Sequence, residues 1–94
     1  MNTHNDVKDL FTHGMSEFVA NNYEKSIEIL SEVIERDPDH RLARAARGSA
    51  HMKQNNLDAA IEDFDRLLET DPAYAKGYHL RGLVRERQGD DQGA

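Results

Sequence analysis

Residues 41–72, RLARAARGSAHMKQNNLDAAIEDFDRLLETDP, contain the pattern that decides the fold. Two helix-forming segments flank an Asn-Asn pair, and an Asp-Pro pair closes the second segment. The stretch 7–38 carries the same landmarks 34 residues earlier, with 8 identities in 32 positions. Three glycines share the 34-residue spacing: Gly14, Gly48 and Gly82. A period of this length is typical of a helical solenoid, in which each repeat buries its apolar face against its neighbours.

The turn residues divide the chain into five predicted helices. We expect the helices at about 6–20, 23–36, 40–53, 57–69 and 73–88, with Asn5 or Asp6 capping the first. The Asn-Asn pairs at 21–22 and 55–56 should end the first and third helices, because asparagine favours turns over helix interiors. Proline should end the second and fourth, because the residue before it is pushed out of the helical region. Gly89-Asp90 predicts the C-cap of the fifth.

The composition limits the class of protein. The 94 residues carry a net charge of −6, with 37 % hydrophobic and 32 % charged side chains and no cysteine. We therefore expect no nucleic-acid partner, no disulfide and no thiolate metal site. No apolar run reaches membrane-spanning length and no secretory signal is visible, so we expect no membrane association and a cytoplasmic location.

The landmarks resemble the tetratricopeptide repeat, whose pattern is W-x₂-L-G-x₂-Y, then A-x₃-F, then P. The matching residues are Gly48, Ala60, Phe64 and Pro72 in the middle repeat, Gly14, Ser26 and Pro38 in the first, and Tyr78 and Gly82 in the third. The large residues of each first helix match poorly. The resemblance implies an all-α, right-handed solenoid of antiparallel helix pairs.

The period also sets the domain organisation. We expect one domain over 1–94, with repeat 1 at 6–38, repeat 2 at 40–72, and a partial third repeat or capping helix at 73–94. A sixth helix would begin near Ala94, so we expect this chain to be an excised part of a longer one.

The repeated glycines predict close helix contact. Glycine costs helix stability, so its recurrence suggests that the paired helix approaches there, with Ser26 and Ala60 as small counterparts. Arg47 stands where the family pattern has leucine. We expect its stem to cover apolar neighbours and its head to pair with Asp63 or Asp65 on the next helix.

In the tetratricopeptide family, the first helix of each pair lines a concave groove that binds a peptide or a partner's helix. With Gly14 pointing to the paired helix, the groove side follows from about 100° per residue. The predicted groove residues are Lys8, Phe11, Met15, Leu42, Ala45, Ser49, Lys76, His79 and Leu83, with Val19, Lys53 and Arg87 at the ends. This surface should be apolar at the first repeat, shallow at the second and basic at the third. Alternatively, Phe11 and Met15 only pack against the third helix.

One subset of the family binds the C-terminal carboxylate of chaperones through a clamp of lysine, asparagine and arginine. At the five clamp positions only Lys76 matches; the others are Phe11, Met15, Ala46 and Leu80. Such a clamp needs several converging charged donors, so we do not expect this activity.

Charge is segregated between the helices of the middle repeat. The third helix has four basic residues and no acid, whereas the fourth has five carboxylates against one arginine. Either the two helices pair through these charges, or the basic residues form a concave surface that attracts an acidic peptide.

No catalytic pattern is found. His13 and Glu17 lie one turn apart, but a third metal ligand is not evident and HExxH is absent. We therefore predict no enzyme, no cofactor and no metal. The function that we expect is protein interaction through the groove, and the alternative is a structural or oligomerisation segment of a longer scaffold. Four residues of the last helix could support a homodimer if left uncovered: Tyr78, Leu80, Leu83 and Val84.

Overall fold

The computed structural model describes residues 6–91, and these residues form five helices without a strand. The helices are α1 (Val7–Val19), α2 (Tyr23–Arg36), α3 (Arg41–Lys53), α4 (Leu57–Thr70) and α5 (Ala75–Asp91). Each helix packs on the next one in the chain, and α3 also touches both α1 and α5. The result is an elongated row of helical hairpins, 55 × 28 × 17 Å in extent. The all-helical prediction is confirmed.

The asparagine pairs end α1 and α3 as predicted. Asn21 and Asn55 have φ angles of 67° and 63°, in the left-handed region that asparagine tolerates better than most residues. The amide of the following asparagine then donates back into the helix, over 2.9 Å to the Glu17 carbonyl and over 2.8 Å to the His51 carbonyl. These equivalent turns reverse the chain sharply, so α2 and α4 lie against α1 and α3.

The prolines lie in turns between the helix pairs. The preceding residues Asp37 and Asp71 have φ angles of −140° and −137°, as expected before proline. The next helices begin at Arg41 and Ala75, slightly later than the predicted positions 40 and 73. His40 is the N-cap of α3, and its Nδ1 accepts a hydrogen bond from the Ala43 amide at 3.1 Å.

The predicted C-cap of α5 at Gly89-Asp90 is wrong, because α5 continues through both residues to Asp91. By the repeat period, α5 would end at Arg87, the equivalent of the α1 and α3 ends. Its additional turn is fastened by Gln88, whose Nε2 donates to Asp58 Oδ1 on α4 at 3.1 Å. Glycine permits a left-handed turn but does not impose one, so the helix can continue through Gly89.

Two apolar clusters form the core. The first joins α1, α2 and α3, and its buried members are Leu10, Ile29, Leu30, Val33, Ile34, Ala43 and Ala46. The second joins α3, α4 and α5 through Ala45, Met52, Leu57, Ala60, Phe64, Leu67 and Val84. Helix α3 supplies residues to both clusters, so it is the central element that links the two pairs.

The close approach predicted at the repeated glycines is found at the first two. A Cβ added to Gly14 would lie 2.8 Å from Leu30 Cδ2, and one added to Gly48 would lie 2.9 Å from the Phe64 ring. The buried Ser26 hydroxyl donates to the Gly14 carbonyl at 2.8 Å, which fixes α2 against α1. At Gly82 an added Cβ would meet nothing within 4 Å among the described residues.

Candidate functional site

A groove of about 500 Å³ runs along the side of the molecule formed by α1, α3 and α5. Most of the side chains that line it are apolar. They are Phe11, Met15, Phe18, Leu42, Ala45, Ala46, Ser49, Met52, Lys53, Tyr74, Lys76 and Leu80. The first helix of each pair therefore forms this surface, as the repeat pattern predicts.

The structure brings six of the nine predicted groove residues together. These are Phe11, Met15, Leu42, Ala45, Ser49 and Lys76. Lys8, His79 and Leu83 do not line the groove and are exposed elsewhere on α1 and α5. On α5 the groove wall is formed instead by Lys76 and Leu80, because Leu80 packs against the second core cluster. Binding by any of these residues stays a prediction.

Other lining residues were missed by the helix-angle argument. Ala46 and Leu80 lie in the groove. Both are at positions equivalent to the carboxylate clamp of the family, and this equivalence could have placed them in the groove. Phe18 and Met52 lie in the last turns of α1 and α3, and Tyr74 lies just before α5. The third repeat is consequently more apolar than predicted.

The three residues predicted at the groove ends have different places. Lys53 lines the groove. Val19 is 76 % exposed and lies outside it. Arg87 is used structurally, since its Nη1 donates to the Met52 carbonyl at 3.0 Å and ties α5 to the end of α3.

Phe11 and Met15 belong both to the groove and to the packing of α1. Each is partly buried and packs against the first core cluster. The Phe11 ring also lies 4.7 Å from the His40 ring at the start of α3. Both interpretations made from the sequence therefore apply, and substitution of either residue affects stability as well as the groove surface.

The charge of the groove comes from two lysines. Lys53 and Lys76 line it, and no carboxylate is among its described lining residues. An apolar surface with two cations and no acid would favour a ligand that combines apolar and acidic side chains.

The arginines of α3 are directed to α4. Arg47 donates through Nε and Nη2 to the two Asp63 oxygens, at 2.8 and 2.6 Å, and through Nη1 to Ser31 Oγ on α2 at 3.1 Å. Arg44 Nη1 lies 3.7 Å from the same carboxylate. The hydrogen bonds to Asp63 raise the pKa of the Arg47 guanidinium, whereas burial lowers the pKa of Arg44. The predicted pairing of Arg47 is confirmed, with Asp63 as its partner.

Two further ion pairs connect first and second helices. Arg41 Nη1 lies 2.7 Å from Asp71 Oδ2, just after α4, and Arg81 Nη1 lies 2.9 Å from Asp65 Oδ1. The segregated charges thus pair inside the solenoid, which is the first of the two interpretations made from the sequence.

The four histidines in the described part of the chain do not form a recognisable reaction centre. His13 Nε2 lies 3.3 Å from Glu17 Oε2, and Asn22 Nδ2 donates to Glu17 Oε1 at 2.9 Å. This amide hydrogen bond is the main cause that lowers the pKa of Glu17. Burial lowers the pKa of His51. Within residues 6–91 no three His, Cys, Asp or Glu side chains are placed to hold a metal ion.

The proposed self-association stripe is only partly exposed. Val84 is fully buried and Leu80 packs against the second core cluster, so the sequence-based expectation that they lie uncovered is corrected. Packing against α3 and α4 covers them without a sixth helix. Tyr78 is 46 % exposed and Leu83 is 40 % exposed.

Across the described part of the chain, none of the helices has the length and apolar character needed to cross a membrane.

Comparison with known sequences identifies the repeat. A sequence model of the tetratricopeptide repeat matches residues 11–75 and, in an overlapping second placement, residues 46–94. No curated protein sequence matches the chain.

Solved structures with the same fold include three of particular interest. MamA has a TM-score of 0.86 and 27 % identity over 90 % of this chain, which spans 50 % of the MamA chain. The second TPR of Spaghetti (RPAP3), bound to the HSP90 peptide SRMEEVD, has a TM-score of 0.84 and 26 % identity over 89 % of this chain and 78 % of that one. The TPR2B domain of yeast Sti1, in complex with pHsp70, has a TM-score of 0.85 at 19 % identity, over 89 % of this chain and 67 % of that one. The all-α solenoid fold is confirmed.

Proposed function

Because the chain belongs to the tetratricopeptide repeat family, we propose that it is a non-catalytic interaction module that binds a segment of a partner protein in the groove of α1, α3 and α5. The observation that carries this proposal is the groove itself, which has a volume of about 500 Å³ and a mostly apolar lining. Volumes of this size are typical of binding pockets. Two of the similar solved domains are complexes, one with pHsp70 and the other with an HSP90 peptide, and they support the same use of the fold.

The lining indicates the chemistry of the partner segment. Leu42 is 54 % exposed, a large apolar side chain that a bound segment could cover. Met15 and Met52 are flexible and polarisable, which suits a surface that adapts to its ligand. Lys53 and Lys76 then favour acidic residues beside an apolar anchor. The partner that we propose is an acidic segment with at least one large apolar side chain.

The partner should differ from a chaperone tail. Four of the five clamp positions hold Phe11, Met15, Ala46 and Leu80, whose side chains carry no hydrogen-bond donor. A terminal carboxylate would lose its water there without gaining charged donors in exchange. The peptide SRMEEVD, which the second TPR of Spaghetti binds, should therefore bind this chain weakly or not at all.

A selection experiment tests the proposal. The chain would be immobilised and a random peptide library displayed against it, and enriched peptides would be synthesised and titrated. We expect them to contain acidic residues beside a large apolar residue. Leu42→Glu should weaken their binding about tenfold or more, because it puts a charge on the apolar lining and repels the acidic peptide.

Val19→Glu is the matched control, since Val19 is an exposed apolar residue outside the groove. It should leave peptide binding unchanged. Circular dichroism of both variants would show that the helices remain intact. Peptides that bind Leu42→Glu as well as the parent chain would disprove binding in the groove.

A structural role is the second candidate. The chain spans half of the MamA chain that it resembles, and one side of α5 is open at Gly82. These observations suit a segment of a longer repeat scaffold that has no peptide ligand of its own. A selection that enriches no peptide, in a chain that remains folded, would favour this alternative.

A further inference from the structure

Within residues 6–91, no helix covers the side of α5 that contains Gly82, whereas the equivalent sides of α1 and α3 are covered. Leu30 of α2 lies over Gly14, and Phe64 of α4 lies over Gly48, each too close for a Cβ atom. At Gly82 nothing lies within 4 Å of the place where a Cβ would be, within the described chain. In both covered repeats, the glycine side is therefore packed against a helix that places a large apolar residue over the glycine.

Four positions of α3 face α4, and each has an equivalent on α5. Arg44 and Arg47 pair with Asp63, and a Cβ added to Gly48 would meet Asp63 and Phe64. His51 lies three residues after Gly48, on the same side of the helix. One repeat later these positions hold Tyr78, Arg81, Gly82 and Arg85. We call these four residues the Gly82 face. It has two arginines and an aromatic ring, and it is bordered by Asp65, which pairs with Arg81, and by Glu69. An acidic helix would therefore be attracted by Arg85 and by the Nε and Nη2 side of Arg81.

Arg81 repeats one of the three side-chain hydrogen bonds that Arg47 makes. Arg47 Nη1 donates to Ser31 on the preceding helix, while its Nε and Nη2 hold the carboxylate of the covering helix. Arg81 Nη1 likewise donates to Asp65, the residue 34 positions after Ser31. Its Nε and Nη2 have no hydrogen-bond acceptor among the described residues. The two nitrogens that would bind the carboxylate of a covering helix, Nε and Nη2, therefore have no acceptor within the described chain.

Near its end, the path of α5 differs from that of α1 and α3. In the first two repeats the chain reverses immediately after Val19 and Lys53. Helix α5 passes the equivalent position, Arg87, and continues for another turn to Asp91. The tight reversal that lays α2 on α1 and α4 on α3 is absent at this point of α5.

A second copy of the chain is poorly suited to cover the Gly82 face. Two copies that met through this face would place Arg81 and Arg85 against the same residues of the other copy, which is repulsive. The helices that cover the equivalent sides, α2 and α4, are already buried within their own fold through Leu30 and Phe64.

We propose that the Gly82 face is a second binding surface, separate from the groove, that receives an acidic amphipathic helix of a partner protein. The helix would place a large apolar residue over Gly82, as Phe64 lies over Gly48, and the preceding carboxylate on Nε and Nη2 of Arg81. Its recognition pattern is small-x-x-acid-large, the pattern of Ala60 to Phe64 in α4.

The chain supplies its own probe for this surface. A fluorescent peptide of residues 57–71 carries the sequence that covers Gly48. Short helices are marginal in water, so the peptide would be held helical by a lactam between Glu62 and residue 66, after Arg66→Lys, at two exposed positions. Binding to the full chain would be followed by fluorescence anisotropy. We expect saturable binding that weakens with salt.

Two variants of one helix test where the peptide binds. Gly82→Leu fills the face and should weaken binding about tenfold or more. Gly89→Leu introduces the same side chain on the same helix, at a place where an added Cβ meets no described residue within 4 Å, and should leave binding unchanged. In the peptide, Phe64→Ala and Asp63→Asn should each weaken binding. Leu42→Glu in the groove should not, so the two binding proposals can fail independently.

Three results would overturn the proposal. One is no binding by the helical peptide, and another is equal binding to the parent chain and Gly82→Leu. The third is a concentration-dependent dimer of the parent chain that Gly82→Leu abolishes, which would assign the face to a second copy.

Discussion

The covered face of α3 and the Gly82 face of α5 are built from equivalent positions but have opposite surroundings. Around Gly48, the ring of Phe64 and the carboxylate of Asp63 are almost completely buried. Around Gly82, Tyr78 is 46 % exposed, and its ring lies 5.4 Å from the Arg81 guanidinium carbon. The repeat pattern therefore specifies the shape of a helix side, and the neighbouring helix determines whether that side is core or surface.

The largest contrast should appear at the aromatic residues of the two faces. Phe64→Ala should reduce the free energy of unfolding by about 3–5 kcal/mol, because it leaves a cavity in the second core cluster. Tyr78→Ala should change it by about 1 kcal/mol or less, since that residue is 46 % exposed. Urea denaturation followed by circular dichroism would measure both. A similar loss in the two variants would mean that the Gly82 face is covered in solution.

The arginines provide a second contrast. Arg47→Leu should lower the free energy of unfolding by about 2–3 kcal/mol, because Asp63 would remain buried without its charged partner. Arg81→Leu should cost less than about 1 kcal/mol, because 41 % of the Asp65 side chain is exposed and the pair is screened by water. The same denaturation measurement applies. If Arg47→Leu were neutral or stabilising, the ion pair would contribute no net stability.

The smallest effects should have opposite signs at the two glycines. Gly48→Ala should destabilise the chain by about 1 kcal/mol, since the new methyl group meets the Phe64 ring and outweighs the gain in helix propensity. Gly82→Ala should stabilise it by up to about 1 kcal/mol, because alanine is the better helix former and meets no neighbour. Thermal melts of both variants would show the signs. A destabilising Gly82→Ala would contradict an open face.

Much of the fold follows from the sequence because its signals are local. The asparagines at 21 and 55 tolerate a left-handed backbone, and the Asp-Pro pairs exclude helix, so four of the five helices are predicted to within about two residues. The end of α5 is not predictable in this way. Gly89 allows either continuation or a turn, and the hydrogen bond from Gln88 to Asp58 that accompanies continuation joins residues 30 positions apart.

The groove was predicted less completely for the same kind of reason. Helix angles place Phe11, Met15 and Leu42 correctly, because α1 and α3 each pack against the following helix on the side of the repeated glycine. Helix α5 packs against α4 and α3, and no following helix fixes its rotation in the same way within residues 6–91. There Leu80 lines the groove where the helix angle predicted His79 and Leu83. In the same way, the sequence leaves Asp63 and Asp65 as alternative partners of Arg47, and the position of α4 decides for Asp63.

The contacts of Arg47 also have a consequence for how the molecule unfolds. Its guanidinium joins Ser31 on α2 to Asp63 on α4, so one side chain of α3 connects both helix pairs. In a linear array, coupling between adjacent units determines whether they melt together or one by one. Separation of the pairs would break the hydrogen bond from Arg47 to Ser31 and expose the Arg47–Asp63 ion pair to water. This connection favours a single cooperative transition for α1 to α4, with fraying confined to the far end of α5.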